Sequence, residues 1–131
     1  MSKVLDASAL LVYLQKEPGY EKVAEALTHA AAAGRPLQMS AVNWGEVYYV
    51  TLKEFGRADA DSVAELIETF PIEVVSADRE TARQAGLFKV QNGLPYADAF
   101  AAALAKTVKG ELMTSDQEFR LVKGDIQIDW L

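Results

Sequence analysis

The sequence predicts an α/β fold, a three-layer α/β/α arrangement around a mainly parallel sheet of about five strands. Two observations carry that expectation. Short runs rich in Val, Ile and Leu alternate with longer stretches of helical periodicity along the whole chain, and alternation of that kind is the mark of strand–helix–strand units. The chain has 131 residues, 50% of them hydrophobic, enough for one compact core without covalent staples. A single domain spanning 1–131 is therefore expected, with no linker, repeat or second unit in view.

The elements follow in order. KVLD, 3–6, is the first strand. Helical patterns cover 8–17 and 20–33, separated by the breaker Pro18-Gly19, and Gly34 closes the second. PLQMS, 36–40, is the second strand. A helix runs from Val42 to Phe55 with Gly56 as its stop, and another from about Ala58 to Glu68 with Asp61 in its first turn. PIEVVS, 71–76, is the third strand. The helix at 78–91 ends at Asn92-Gly93, and the next, at 95–108, has Pro95 suited to its first position. ELMTS, 111–115, is the fourth strand, DQEFRLV a short helix, and DIQIDWL, 125–131, a last strand with period-two alternation.

Composition narrows the chemistry. The absence of cysteine removes disulfides and thiolate metal sites and fits a reducing compartment. The one histidine, His29, lies in an alanine-rich helical stretch and reads as an ordinary surface or core residue. Any metal must then be held by oxygen, which points to a hard cation such as Mg²⁺ or Mn²⁺. No apolar run reaches membrane-spanning length and the N-terminus has no cleavage pattern, so a cytoplasmic protein without a membrane partner is expected. The net charge of −6 speaks against a nucleic-acid partner on its face. It does so weakly when acids cluster, because divalent ions on such a cluster would neutralise much of the excess.

Four carboxylates stand out. Asp6 and Asp116 follow the ends of strands, where open α/β sheets build their sites. Each also has an ordinary reading as a helix cap, but Ser8, Thr114 or Ser115 could cap without a charge. Glu46 is the one charge in the stripe Val42, Glu46, Tyr49, Val50, a face expected to meet the sheet. Asp98 is the one charge in the stripe Leu94, Asp98, Ala101, Ala102, Ala105, though a first-turn acid complementing the helix dipole explains it too. If the four converge, two carboxylates about 4 Å apart repel by roughly 4 kcal/mol at an effective dielectric of about 20. Protons or cations must relieve that repulsion, and an oxygen-only acidic cluster is the composition of a phosphoryl-transfer site served by Mg²⁺ or Mn²⁺.

The segments VLDASALL, VNWGEVYY, LPYADAFAAALA and LMTSDQEF, in this order, resemble a PIN-domain ribonuclease, more narrowly a VapC-type toxin of a toxin–antitoxin pair. The resemblance spans essentially the whole chain. It implies an acidic tetrad of Asp6, Glu46, Asp98 and Asp116, with Asp6 and Asp98 as direct ligands and Glu46 and Asp116 acting through water. Ser8 and Thr114 fall where such proteins place supporting hydroxyls, and Glu118 stands where a further acid is often found. It further implies Mg²⁺- or Mn²⁺-dependent cleavage of RNA, a homodimer and an antitoxin that lays an apolar helix into a groove; Leu11, Tyr13 and Leu14 offer apolar material for it and read equally as plain core. Candidates for phosphate contact are Lys53, Arg79, Arg83, Lys89, Arg120 and Lys123. Two other readings remain: an inactive PIN-like adaptor, and a Mg²⁺-dependent phosphatase of another α/β type. The latter usually carries a second Asp two residues after the first, where this chain has Ser8.

Overall fold

The computed structural model describes residues 2–131. Five strands and six α-helices alternate: β1 (Lys3–Leu5), α1 (Ala7–Leu14), α2 (Tyr20–Ala33), β2 (Leu37–Ser40), α3 (Ala41–Phe55), α4 (Arg57–Glu68), β3 (Ile72–Val75), α5 (Arg79–Asn92), α6 (Tyr96–Val108), β4 (Glu111–Thr114) and β5 (Gln127–Trp130). A 3₁₀ helix, Gln117–Val122, joins β4 to β5. The strand order is β3-β2-β1-β4-β5 and every pairing among the described residues is parallel. The three-layer expectation therefore holds.

Register decides which side chain enters which layer. Val4 lies opposite Leu112 and Leu5 opposite Met113. Val4 and Leu112 enter the core built with α5, α6 and the 3₁₀ helix. Leu5 and Met113, one residue on, enter the opposite core with Leu10, Val23, Leu27, Val47 and Ile67 from α1 to α4. Helix α6 is buried from Asp98 to Ala105. Its alanines keep it thin enough to lie against the sheet between neighbours.

The chain moves outward from β1 to β2 and β3, then crosses back to place β4 on the other side of β1. The topological switch thus falls between β1 and β4, and in open α/β sheets that crevice is where ligands bind. Asp6 leaves β1 and Asp116 follows β4 at this point.

Three local expectations need correction. Helix α1 stops at Leu14, not at residue 17: Gln15 caps it, Lys16 is left-handed at φ 52°, and Pro18 disfavours helix at the preceding residue. Gly19 is also left-handed at φ 100°. The buried stripe of α3 is Asn43, Val47 and Thr51, while Tyr49 is 56% exposed. Glu46 therefore sits at the border of the buried face, and its half-burial comes from position rather than from the apolar stripe expected. The segment after β4 winds as a 3₁₀ helix with Phe119 and Val122 turned inward.

Candidate active site

The site begins where β1 ends. Asp6 is 2% exposed, and both its oxygens are engaged. Oδ1 accepts from the Ala9 amide at 2.9 Å and the Ser8 hydroxyl at 2.8 Å, and Oδ2 from the Thr114 hydroxyl at 2.6 Å. The carboxylate itself caps α1, and Asp116 caps the 3₁₀ helix through the Glu118 amide at 3.0 Å. The expectation that hydroxyls would take over capping is thus reversed. Ser8 and Thr114 have another task. Ser8 Oγ accepts from the Ser115 amide at 3.0 Å and Thr114 Oγ1 from the Asp116 amide at 2.9 Å. Each hydroxyl spends its single proton on Asp6 while receiving a backbone N–H from the turn after β4. The two strand ends are tied together through Asp6.

Glu46 and Asp98 arrive from facing helices, joined by a residue absent from the sequence-based candidates. Asn43 is fully buried, and its Nδ2 donates to Glu46 Oε1 at 2.9 Å and to the Ala97 carbonyl at 3.1 Å. One amide therefore fixes the Glu46 carboxylate against the first turn of α6, one residue before Asp98. The signal available in the sequence was an amide three residues ahead of the Glu, a spacing that faces it on a helix. Glu118 is exposed, and its contribution to the cluster is its backbone amide.

The four acids act on one another. Burial lifts Asp6 from an ordinary 3.8 to about 6, against hydrogen bonds from Thr114, Ala9 and Ser8 and with a small push from the Asp116 charge. Burial raises Glu46, opposed by Asn43 and assisted by Asp116. Asp98 rises to about 8 through burial, then through side-chain hydrogen bonding with Asp116, then through the charges of Asp116, Asp6 and Glu46. Its Oδ2 is buried without a hydrogen-bond partner. An unfilled buried acceptor, surrounded by three further carboxylates, suits a hard divalent cation in its chemistry. The fit is one of donor type and charge: among the described residues, no group of three or more acidic or histidine side chains is arranged to hold a metal ion as it stands.

The basic candidates divide. Arg83 is bound by Glu80 at 2.7 Å and is engaged within α5. Arg120 lies in the 3₁₀ helix that Asp116 caps, and Lys123 is that helix's C-cap. Leu11, Tyr13 and Leu14 are part-exposed and pack on the core of α1 to α4, with Tyr13 edge-on to Phe70 at 5.7 Å. No helix among the described residues is long and apolar enough to cross a membrane.

Comparison with known proteins agrees with this architecture. A curated relative, a ribonuclease VapC of Mycolicibacterium smegmatis, is 29% identical over 126 residues, covering 90% of this chain and 94% of its own. The fold matches DNA-bound VapBC from Salmonella typhimurium with a TM-score of 0.80 at 18% identity, over 99% of this chain and 98% of that one. It matches VapBC2 from Rickettsia felis, bound to a promoter DNA fragment, with a TM-score of 0.78 at 16% identity, over 100% and 99%. The model of the PIN domain family matches residues 3–125, nearly the whole chain, which therefore belongs to the PIN-domain family.

Proposed function

We propose that this protein is a ribonuclease dependent on Mg²⁺ or Mn²⁺, acting as the toxin of a VapC-type toxin–antitoxin pair. The observation that carries the reading is the buried, unpartnered Oδ2 of Asp98, with Asp6, Glu46 and Asp116 acting electrostatically on the same carboxyl. An idle cluster of this kind would only destabilise the fold. A hard cation, when bound, supplies charge to offset the phosphodiester and lowers the pKa of water so that it can attack phosphorus.

The protein's own residues define the rest. Asp6, fixed through both oxygens, is the rigid member, and its Oδ2 accepts a single hydrogen bond. Asp98 is the member with an empty acceptor. Asn43 aims Glu46, and the Glu118 amide restrains Asp116. Ser8 and Thr114 hold Asp6 and serve as positioning residues. Without a cation, the four carboxylates repel the phosphate they would otherwise cradle, so cleavage requires the ion. No imidazole base is needed, consistent with a single histidine outside the site.

The relatives support the further parts of the reading. A VapC-type protein would be held inactive by an antitoxin, for which Leu11, Tyr13 and Leu14 offer part-exposed apolar surface, and would work as a cytoplasmic homodimer with a single PIN-like nuclease domain over 1–131. An adaptor that keeps the fold without cutting is the second reading, favoured by the lack of a preassembled metal shell among the described residues. Incubation of the purified protein with structured RNA separates the two. Cutting with Mg²⁺, none with EDTA and none by Asp98→Asn supports the nuclease; an intact RNA in all three lanes supports the adaptor. Equal cutting by wild type and Asp98→Asn contradicts the assigned site.

A further inference from the structure

Two different periodicities aim side chains into one groove. A 3₁₀ helix repeats every three residues, so Gln117 and Arg120 share one face of the segment anchored by Phe119 and Val122, and Lys123 follows as its non-helical C-cap. A strand repeats every two, so Ile128 and Trp130 share one face of β5, and Ile126, bridged to Lys123, stands just before it. These six residues line a groove of about 640 Å³. The side chains of Ile126, Ile128 and Trp130 pack with one side against the core of α5 and α6 and stay part-exposed on the other.

Charge and position say what the groove takes. No acidic residue lines it, although the chain carries a net charge of −6. Lys3, Lys22, Arg57 and Arg83 form ion pairs, whereas among the described residues Arg120 and Lys123 form none. Glu118, the acid of the 3₁₀ helix, stands out of phase with the groove-lining set. The groove also adjoins the carboxylates in register and in sequence. Trp130 is the ladder partner of Thr114, the residue that donates to Asp6, and Gln117 directly follows Asp116.

Resting on the nuclease reading, we infer that this groove binds a single-stranded stretch of RNA beside the cut phosphodiester. Arg120 and Lys123 take phosphates, and the Trp130 indole stacks on a base. Cations along a strand's path with an aromatic platform between them match the needs of unpaired RNA, whose bases are open to stacking. A duplex would present phosphates but no base face to Trp130.

The test is fluorescence anisotropy of a labelled single-stranded oligoribonucleotide of mixed sequence, titrated in EDTA so that nothing is cut. Arg120→Gln with Lys123→Gln should flatten the dependence of log affinity on log salt by about 1.4, two phosphate contacts at about 0.7 each. Trp130→Leu should weaken RNA binding by roughly 10-fold, with Trp130→Phe restoring most of it, and should leave binding of inorganic polyphosphate unchanged. In a Trp44→Phe background, the emission of Trp130 should be quenched by the RNA, a readout that survives if the Leu variant folds poorly. An unchanged salt slope, or no quenching, overturns the inference, as does displacement of RNA by an acidic peptide as effective as by unlabelled RNA. Variants that bind and cut like a cutting wild type sink the groove and spare the nuclease. A wild type that binds RNA here but never cuts with Mg²⁺ does the reverse.

Discussion

Asp98 and Asp6 are both buried acids, yet their surroundings make opposite demands. Asp6 has a donor on each oxygen, so Asp6→Asn relieves charge but turns an amide N–H₂ toward Thr114 or the α1 amides. Asp98 has an oxygen with no partner, so Asp98→Asn removes charge without breaking a bond to that atom. Asp98→Asn should therefore raise the metal-free melting midpoint, and by more at pH 8 than at pH 5, in a differential scanning experiment. An equal gain at both pH values would mean that ionisation of Asp98 is not the source. Asn43→Leu should lower stability by about 2 kcal/mol, since two hydrogen bonds go, one to Glu46 and one to the Ala97 carbonyl. It should also slow RNA cutting at least 10-fold by releasing Glu46, whereas a stabilising background mutation that restores the midpoint should not restore the rate. The four acids were legible because a lone charge in apolar surroundings is conspicuous. Asn43 was not, because an amide early in a helix resembles any polar surface residue until its partners are known.

Among the elements, the link between β1 and β4 carries most of the site's order. Thr114→Val keeps the shape of the side chain but takes the hydroxyl from between Asp6 Oδ2 and the Asp116 amide. A loss of about 1–3 kcal/mol in denaturant unfolding is expected, the range for leaving a buried polar group unsatisfied. No loss would mean that the tie between the strand ends is dispensable. Gly110, between α6 and β4, makes a separate demand: a Cβ there would come within 2.5 Å of the Ser2 carbonyl oxygen. Gly110→Ala should destabilise by about 1–3 kcal/mol, because backbone has to shift. The order and kind of the elements were legible from alternation and breakers. The buried face of α3 was not, since its stripe contains Asn43 and Thr51, polar residues whose bonds to Glu46 and to the Val47 carbonyl only the folded helix supplies. The 3₁₀ winding after β4 was equally hidden, because six residues with three apolar positions, Phe119, Leu121 and Val122, suit either helix.

At the scale of the whole molecule, strand–helix alternation indicated a parallel sheet, but not that β4 returns to the far side of β1. That return creates the crevice, and it depends on pairings between residues about a hundred positions apart, such as Val4 with Leu112. It also gives the metal-free protein a characteristic pH response. Asp6 at about 6 and Asp98 at about 8 both lie above the value near 3.9 of an unfolded Asp. The folded state then holds more protons than the unfolded one, so stability falls as pH rises. The decline should begin above about pH 4 and end as pH passes about 8, with Asp6 accounting for about 3 kcal/mol. That these four carboxylates together hold a divalent cation is checked by the melting midpoint at pH 8 with increasing Mn²⁺. Wild type should rise with concentration, by the equivalent of about 2.7 kcal/mol at a hundredfold excess over the dissociation constant, while Asp98→Asn should barely respond. A wild-type midpoint that Mn²⁺ leaves unmoved, or an equal rise in both proteins, would contradict it.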